Sequence, residues 1–588
     1  MRRRARTTRD AARPVLAITG RCGHGRGSPL GPRRRADEGA SAWVEVPTLF
    51  RECHREPLRE KVQKAFTERP DQFRPLLPQR IAHEAPFASE VSHTKRFLER
   101  WCADRTFRSA LREDTRAAAS RFGLAADPEE IRYLWDQPHA VRMIRERERA
   151  PLAVQRYRVW IAEKILHREE LRLEGCVPAD VRHRTWRERQ INRSRTQLGP
   201  SALVSIVHAP FTIELSDGCS VGCWFCGVSA GKKRSDFLYT DESRELWRDV
   251  LGVLRKNLGD AAAAGFCYWA TDPLDNPDYE KFLVDFTEIC GRCPQTTTAQ
   301  PHKDVERTRA LLRRTAELGC EINRFSILNL RIFDQVMRAF TAEELLHTEL
   351  VLQNSEATQM QSNSGRARGS RQLKKRAETG ERPPGTWEEA PGTISCVSGF
   401  HMNMIHRTVR LITPCPSSDR WPSGHWVYEE TRFDDAAHLD EILQGMMERH
   451  MKTSLRASDP LRLRRDLRVE LFDDGFAALG YGGSVAYRDN PVAREVGCAL
   501  RDGDSTVGEI ALAIEDGGAA SAPEVFDLLN QIFHQGLLEE EPAALDVALA
   551  PALGDGVADA PPILTQLAPR IRPDATGTVA PGLEPSQP

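Results

Sequence analysis

Residues 214–231 read "ELSDGCSVGCWFCGVSAG" and put three of the chain's fourteen cysteines, Cys219, Cys223 and Cys226, within eight positions. Thiols this close on one loop can ligate a single metal centre, and Gly218, Gly222 and Gly227 leave that loop conformationally permissive. A structural zinc site would need a fourth ligand, with a second Cys or His pair some ten to twenty residues further on. Here the next cysteine is Cys267 and no His intervenes, so zinc fits poorly. A [4Fe-4S] cluster normally takes four cysteines; three leave one iron without a protein ligand, where a cofactor can bind.

Other candidate groups are weaker signals. Cys290 and Cys293 form a C-x2-C that closes a helix without partners at zinc spacing, and they read as structural. Cys267 sits mid-strand before Tyr268 and Trp269 and reads the same way. His401 and His406 flank Asn403. A metal or acid–base role is open to them, with polar packing as the plainer reading.

The elements that must position the three cysteines are legible in the hydrophobic pattern. Between 205 and 430, short β-branched and aromatic runs alternate with longer helical ones, the pattern of βα units and a parallel sheet. "FTIELS", "GFCYWAT", "QTTTAQ", "INRFSILN", "TISCVSG" and "RTVRLIT" read as six strands. "DESRELWRDVLGVLRKNL", "DYEKFLVDFTEICG" and "DVERTRALLRRTAELG" read as helices between the early ones. The fold class expected is α/β, a partial (β/α)6 barrel. The cysteines then lie on the loop leaving the carboxyl end of the first strand, where barrel active sites assemble.

Around this core the 588 residues divide further. Residues 1–42, rich in Arg, Gly and Pro, are expected to be a disordered extension. Residues 43–200 are helical, residues 201–430 hold the barrel, and 355–392 form a polar insertion within it. Residues 431–545 carry a helical linker and a small winged-helix-like module, and 546–588 form an Ala/Pro-rich tail. A formal net charge of -1 gives no global argument for nucleic acid or an anionic membrane. No apolar run approaches the ~20 residues of a membrane span. Scattered, mostly solitary cysteines suit a reducing cytoplasm.

C-x3-C-x2-C after a first strand, with Phe225 before the last cysteine, resembles the signature of the radical S-adenosylmethionine (SAM) enzymes. The resemblance implies that Cys219, Cys223 and Cys226 hold a [4Fe-4S] cluster and that SAM chelates the open iron and yields a 5'-deoxyadenosyl radical. "YWATDPLDNP" stands where the family often has Gly-Gly-Glu-Pro, the edge that receives the SAM amino group. Ala270, Thr271 and Asp272 occupy those places, a departure that keeps a hydroxyl and a carboxylate. Thr297 in "TTTAQ" and Ser326 in "FSILN" would meet the SAM carboxylate and ribose.

A wider resemblance, over about 90 to 540, runs through "ATDPLDNPDYEKF", "NSGRARGSR" and "TISCVSGFHMNMIHRTVRLITPCPSSDRWPSGHWVYEE". It is to the radical SAM epimerases that convert L- to D-residues in ribosomally made peptides, the polytheonamide type. Phe97, Leu98, Asp104, Phe107, Gly123 and Leu124 also fit the pattern of nitrogen-fixation-type leader peptides, and the C-terminal module resembles peptide-recognition modules of such enzymes. The resemblance implies a precursor peptide with leader as substrate and a flavodoxin- or ferredoxin-like electron donor. Inversion at Cα needs a hydrogen-atom donor on the second face, for which Cys415, after "RTVRLIT", and Cys396, within "TISCVSG", are the candidates. A radical SAM enzyme forming thioether or C–C crosslinks, and an iron–sulfur redox regulator, are the alternatives.

Overall fold

The computed structural model of the chain describes residues 55–198, 205–358, 363–368, 392–503 and 505–542. The expected extension at 1–42, the tail at 546–588 and most of the insertion at 355–392 lie outside the described residues. Strands, numbered along the chain, are β1 (Ala209–Glu214), β2 (Ser216–Asp217), β3 (Ser235–Asp236), β4 (Thr297–Thr298), β5 (Asn323–Ile327), β6 (Thr348–Leu352), β7 (Val397–Asn403), β8 (Thr408–Pro414), β9 (His425–Arg432), β10 (Arg468–Phe472), β11 (Gly475–Leu479) and β12 (Ser484–Tyr487). The architecture is mixed α/β.

Two sheets frame the centre. One has the order β1-β7-β8-β9, and the other is the parallel set β4-β5-β6. Helices follow the strands where the sequence supplies caps: Thr240 accepts from the Ser243 amide to open Asp241–Leu258, and Asp304 accepts from the Arg307 amide to open Val305–Glu317. One face of each sheet is apolar. Phe211, Ile213, Phe400 and Met402 bury against Trp247, Leu251, Phe282 and Phe286, while Phe325, Ile327, Leu350 and Leu352 bury against Phe333 and Val336. Side chains alternate along a strand, so Thr212, Glu214, His401, Asn403, Arg324, Ser326 and Glu349 belong to the opposite, inner faces.

The expected six βα units are corrected in three places. "GFCYWAT" forms no strand; it touches β1 only through a parallel bridge between Thr212 and Phe266. Side chains replace the ladder there, because the Thr212 hydroxyl donates to the carbonyls of Phe266 and Tyr268, at 3.2 and 2.6 Å. β6, absent from the sequence reading, extends the parallel set. Finally, β7 pairs parallel with β1, but β8 runs antiparallel to β7. The connection Met404–Arg407 is too short for a parallel crossover, which takes a dozen or more residues.

The helical stretch 55–198 has its own core around Phe97, Phe107, Leu111 and Trp160. Asp104 accepts from the Thr106 and Phe107 amides at the start of Arg105–Glu113. In the C-terminal stretch the meander β10-β11-β12 precedes the helices Pro491–Asp502, Val507–Asp516 and Ala522–His534. The last two open on capping boxes, Thr506 with Glu509 and Ser521 with Glu524. Among the described residues no helix is long and apolar enough to cross a membrane.

Candidate active site

The cysteine loop leaves the carboxyl end of β1 and closes on itself. The Cys219 amide donates to the Gly231 carbonyl at 2.9 Å, and β2 pairs with β3 beyond it. Gly218 sits at φ +77 with the Lys232 carbonyl where a Cβ would stand, so a side chain is excluded there. Within the loop the Ser229 amide donates to the Cys226 carbonyl at 3.2 Å, and the Ala230 amide points at Cys226 Sγ at 3.3 Å. Arg366 ties the far side: its backbone amide donates to the Cys226 carbonyl at 2.9 Å, one guanidinium nitrogen to the Cys223 carbonyl at 3.1 Å and another to the Ala230 carbonyl. Phe225 rests on Ala367 and meets Trp224 edge-on.

Among the described residues no three Cys, His, Asp or Glu side chains converge on one metal-ion position. The three thiols nonetheless share one environment. Burial pushes the Cys219 thiol up to about 11, with Asp272, Asp275 and Cys226 adding to it. Burial pushes Cys223 up to about 12, with Cys226 and Cys219 adding. Both shifts disfavour the thiolate form of Cys219 and Cys223, the form in which a cysteine binds metal. Three thiols grouped on one loop, one already receiving an amide N–H, are the donor type that a [4Fe-4S] cluster takes.

Asp275 and Gln300, which the sequence reading did not single out, fasten the loop to the neighbouring strand ends. Asp275 accepts from the Ser220 amide at 2.8 Å and from Gln300 Nε2 at 2.9 Å, while the Ser220 hydroxyl donates to Gln300 Oε1 at 3.2 Å. The signal for them was position alone: both stand at the ends of the segments "ATDPLD" and "TTTAQ".

Asp272 is committed elsewhere. Its carboxylate accepts from the Leu274 amide at 3.0 Å, the Thr298 hydroxyl at 2.8 Å and the Ala299 amide at 2.7 Å. Burial raises its pKa against those hydrogen bonds. It therefore stitches its segment to β4, and its capacity for a ligand's amino group is reduced. Thr271, beside it, has a buried hydroxyl with no partner among the described residues. Thr297 donates to the Tyr268 hydroxyl at 2.9 Å, and Ser326 is half-buried on the inner face of β5.

The inner face of the first sheet carries a second group. Glu214 accepts from the Ala270 amide at 2.7 Å and from Asn403 Nδ2 at 3.0 Å, and His401 Nε2 lies 3.3 Å away. Burial would raise the Glu214 carboxyl, but His401, Asn403 and the Ala270 amide hold it below its ordinary value. Trp269 lies against both His401 and His425, ring centres 5.6 Å apart in each case. His406 instead approaches Asp217 at 3.3 Å. Cys267, Cys290 and Cys293 are buried in the main core.

The two candidate thiols part company. Cys396 precedes β7 beside the first residue of β1, its carbonyl accepting from the Ala209 amide at 2.8 Å. It is half-buried with Tyr268 and Trp269, and Arg324 is a charged neighbour. Burial pushes its thiol up to about 11. Cys415 is 0% exposed, donates to the Pro416 carbonyl at 3.4 Å, and has Arg193 and Glu541 as its charged neighbours. Arg193 comes from the helix Val181–Gln197, which contributes Trp186 to the outer core. The expectation of a donor thiol at the barrel mouth is corrected for both residues: β8 runs antiparallel to β7, which carries Cys415 to the edge opposite the cysteine loop, and Cys396 stands at that same edge, before β7 and beside the first residue of β1.

No protein-family model matches the chain. It is 37% identical over 512 residues to the uncharacterized protein y4wI of Sinorhizobium fredii (strain NBRC 101917 / NGR234), covering 86% of this chain and 97% of that protein. Among solved structures, the crystal structure of BtrN in complex with AdoMet and 2-DOIA aligns at 19% identity with a TM-score of 0.19, over 24% of this chain and 56% of that one.

Proposed function

The chain belongs to one family with the uncharacterized protein y4wI of Sinorhizobium fredii, whose name assigns no activity, and from that premise we propose that it is a radical SAM enzyme acting on a ribosomally made precursor peptide. The observation that carries the reading is the loop of Cys219, Cys223 and Cys226 at the carboxyl end of β1, closed by the Cys219–Gly231 hydrogen bond and by Arg366. When bound, a [4Fe-4S] cluster on these thiols and SAM would supply a 5'-deoxyadenosyl radical.

The chain's own residues do the rest. Asp275 and Gln300 hold the loop against the ends of the neighbouring segments, and Glu214 holds the 268–272 segment against β1 through the Ala270 amide. That leaves the Thr271 hydroxyl free for a polar group of the cofactor. The reaction favoured is epimerisation of an L-residue to a D-residue. The thiol proposed for it is Cys396, half-buried where Cys415 is fully buried; it stays protonated at neutral pH and lies with Tyr268 and Trp269. It would give its hydrogen atom to the planar Cα centre, and an electron from a flavodoxin- or ferredoxin-like donor with a solvent proton would restore it. Crosslinking is the second reading. A cytoplasmic site of action follows from a reduced cluster and free thiols.

Anaerobic reconstitution followed by assay for 5'-deoxyadenosine tests the class; no SAM cleavage by iron-loaded protein would end it. Turnover in deuterated water separates the reactions. An epimerase installs one solvent-derived deuterium at Cα with no other mass change, whereas a crosslinking enzyme removes two hydrogens from the peptide.

A further inference from the structure

The inner faces of the parallel set carry charge where a barrel floor would ordinarily be apolar. Arg324 on β5 and Glu349 on β6 stand side by side in register and pair at 3.2 Å. From the helix Leu152–Glu170, Lys164 reaches the same carboxylate at 3.2 Å. Arg168, one turn on along that helix, shares its face. Glu349 and Arg324 are the charges that act on it most, ahead of Glu169 and Arg172, and its side chain forms no hydrogen bond or ion pair among the described residues. Three cations thus surround one anion.

Two further observations separate this group from an ordinary internal salt bridge. A buried ionic network is stable when its charges are compensated, and leaving cations unpaired in a low-dielectric interior is costly. Glu99 and Glu169 also act on Lys164 and Arg168, but they are paired with Lys95 and Arg172, so two positive charges remain in excess. The groups are also reachable: 38% of the Arg324 side chain and 35% of that of Glu349 remain accessible, although burial is the largest influence on both. Both side chains are thus open to a ligand and not sealed in packed protein. Tyr268 and Cys396 are further neighbours of Arg324 and connect this floor to the thiol.

We propose that the floor of the lumen is a recognition site for a carboxylate-bearing part of the substrate, held by Arg324 and Arg168. A planar guanidinium presents paired N–H donors that match a carboxylate two-on-two, and Glu349 shows that Arg324 already holds one such group. On a peptide the recognised group is an Asp or Glu side chain or the terminal carboxylate, within reach of the residue that Cys396 serves.

The proposal rests on reading the lumen as the substrate chamber, and its test reads binding, not turnover. Failure here therefore leaves the cluster assignment standing, and absence of SAM cleavage would not alter the titration. Succinate and inorganic phosphate are titrated calorimetrically into the full-length protein and into Arg324→Met, Arg168→Met and Glu349→Gln, each checked for folding by its thermal melt. Succinate is expected to bind, to weaken roughly tenfold or more in either arginine variant, and to bind several-fold tighter to Glu349→Gln, where the competing carboxylate is gone. A purely structural network predicts instead that Glu349→Gln only destabilises. No succinate binding, phosphate binding without succinate, wild-type affinity in Arg168→Met, or no gain in Glu349→Gln would each overturn it. Should Arg324→Met fail to fold, the other two variants decide.

Discussion

At the scale of single residues, the grouping of Cys219, Cys223 and Cys226 on one loop was legible, because spacing is a property of the sequence alone; their role as cluster ligands is part of the proposal. Replacing Cys219, Cys223 or Cys226 by Ala is expected to abolish iron loading and SAM cleavage while the melt stays close to wild type. Near-native iron in any one of the three would refute the assignment. The hydrogen donor was legible only in part. Both Cys396 and Cys415 follow from the chemistry, but how deeply each thiol is buried depends on tertiary packing that the sequence does not display. Cys396→Ala is accordingly expected to keep SAM cleavage and lose deuterium incorporation, and Cys415→Ala to keep both. Histidines give a separate, pH-dependent expectation. Burial lowers His183 to about 4 and His425 to about 3 from an ordinary 6.5. Their folded forms are neutral, so the unfolded chain binds more protons below pH 6.5 and stability falls as pH drops from there toward 4. His183 alone should cost about 2 kcal/mol between pH 7 and pH 5. Melts across that range test this, and a His183→Gln variant that remains folded should show a shallower slope; an equal slope would contradict it.

At the scale of elements, capped helices and the first strand were readable from end signals and alternation. β6 and the broken second strand were not. β6, "TELVL", is short and follows a helix without a strong turn signal, while the segment after Gly265 is held by Thr212 and Glu214 side chains in place of a ladder. The antiparallel turn of β8 was available in principle, since four residues between two strands forbid a crossover. One glycine carries an element-level expectation. Gly218 takes a left-handed φ of +77 against the Lys232 carbonyl, so Gly218→Val should distort the loop base and reduce iron loading by far more than it lowers the melting temperature. Normal iron content in that variant would show that the loop base does not set the ligand geometry.

At the scale of the whole molecule, the helix Val181–Gln197 joins parts that the sequence reading treated separately. Its Trp186 buries in the core under β1 and β7, and His183 lies edge-on to Phe400. The same helix sends Arg189 into the C-terminal stretch. That side chain is 0% exposed, pairs with Glu540 at 2.9 Å, donates to the Lys452 carbonyl at 3.1 Å and stacks over Phe533 at 3.9 Å. Such a long-range pair leaves no periodic trace, which is why it was invisible in the sequence. Breaking it strands a largely buried carboxylate, and removing one partner of a buried pair typically costs about 3–5 kcal/mol. Arg189→Met is therefore expected to lower the melting temperature clearly, and Glu540→Gln less. In the double variant the polar amide replaces the stranded charge, so the combined loss should be smaller than the sum of the two single losses. Additive losses would mean that the two residues act independently, and that packing of Phe533 and its neighbours, not this ion pair, fastens the C-terminal stretch to the helix.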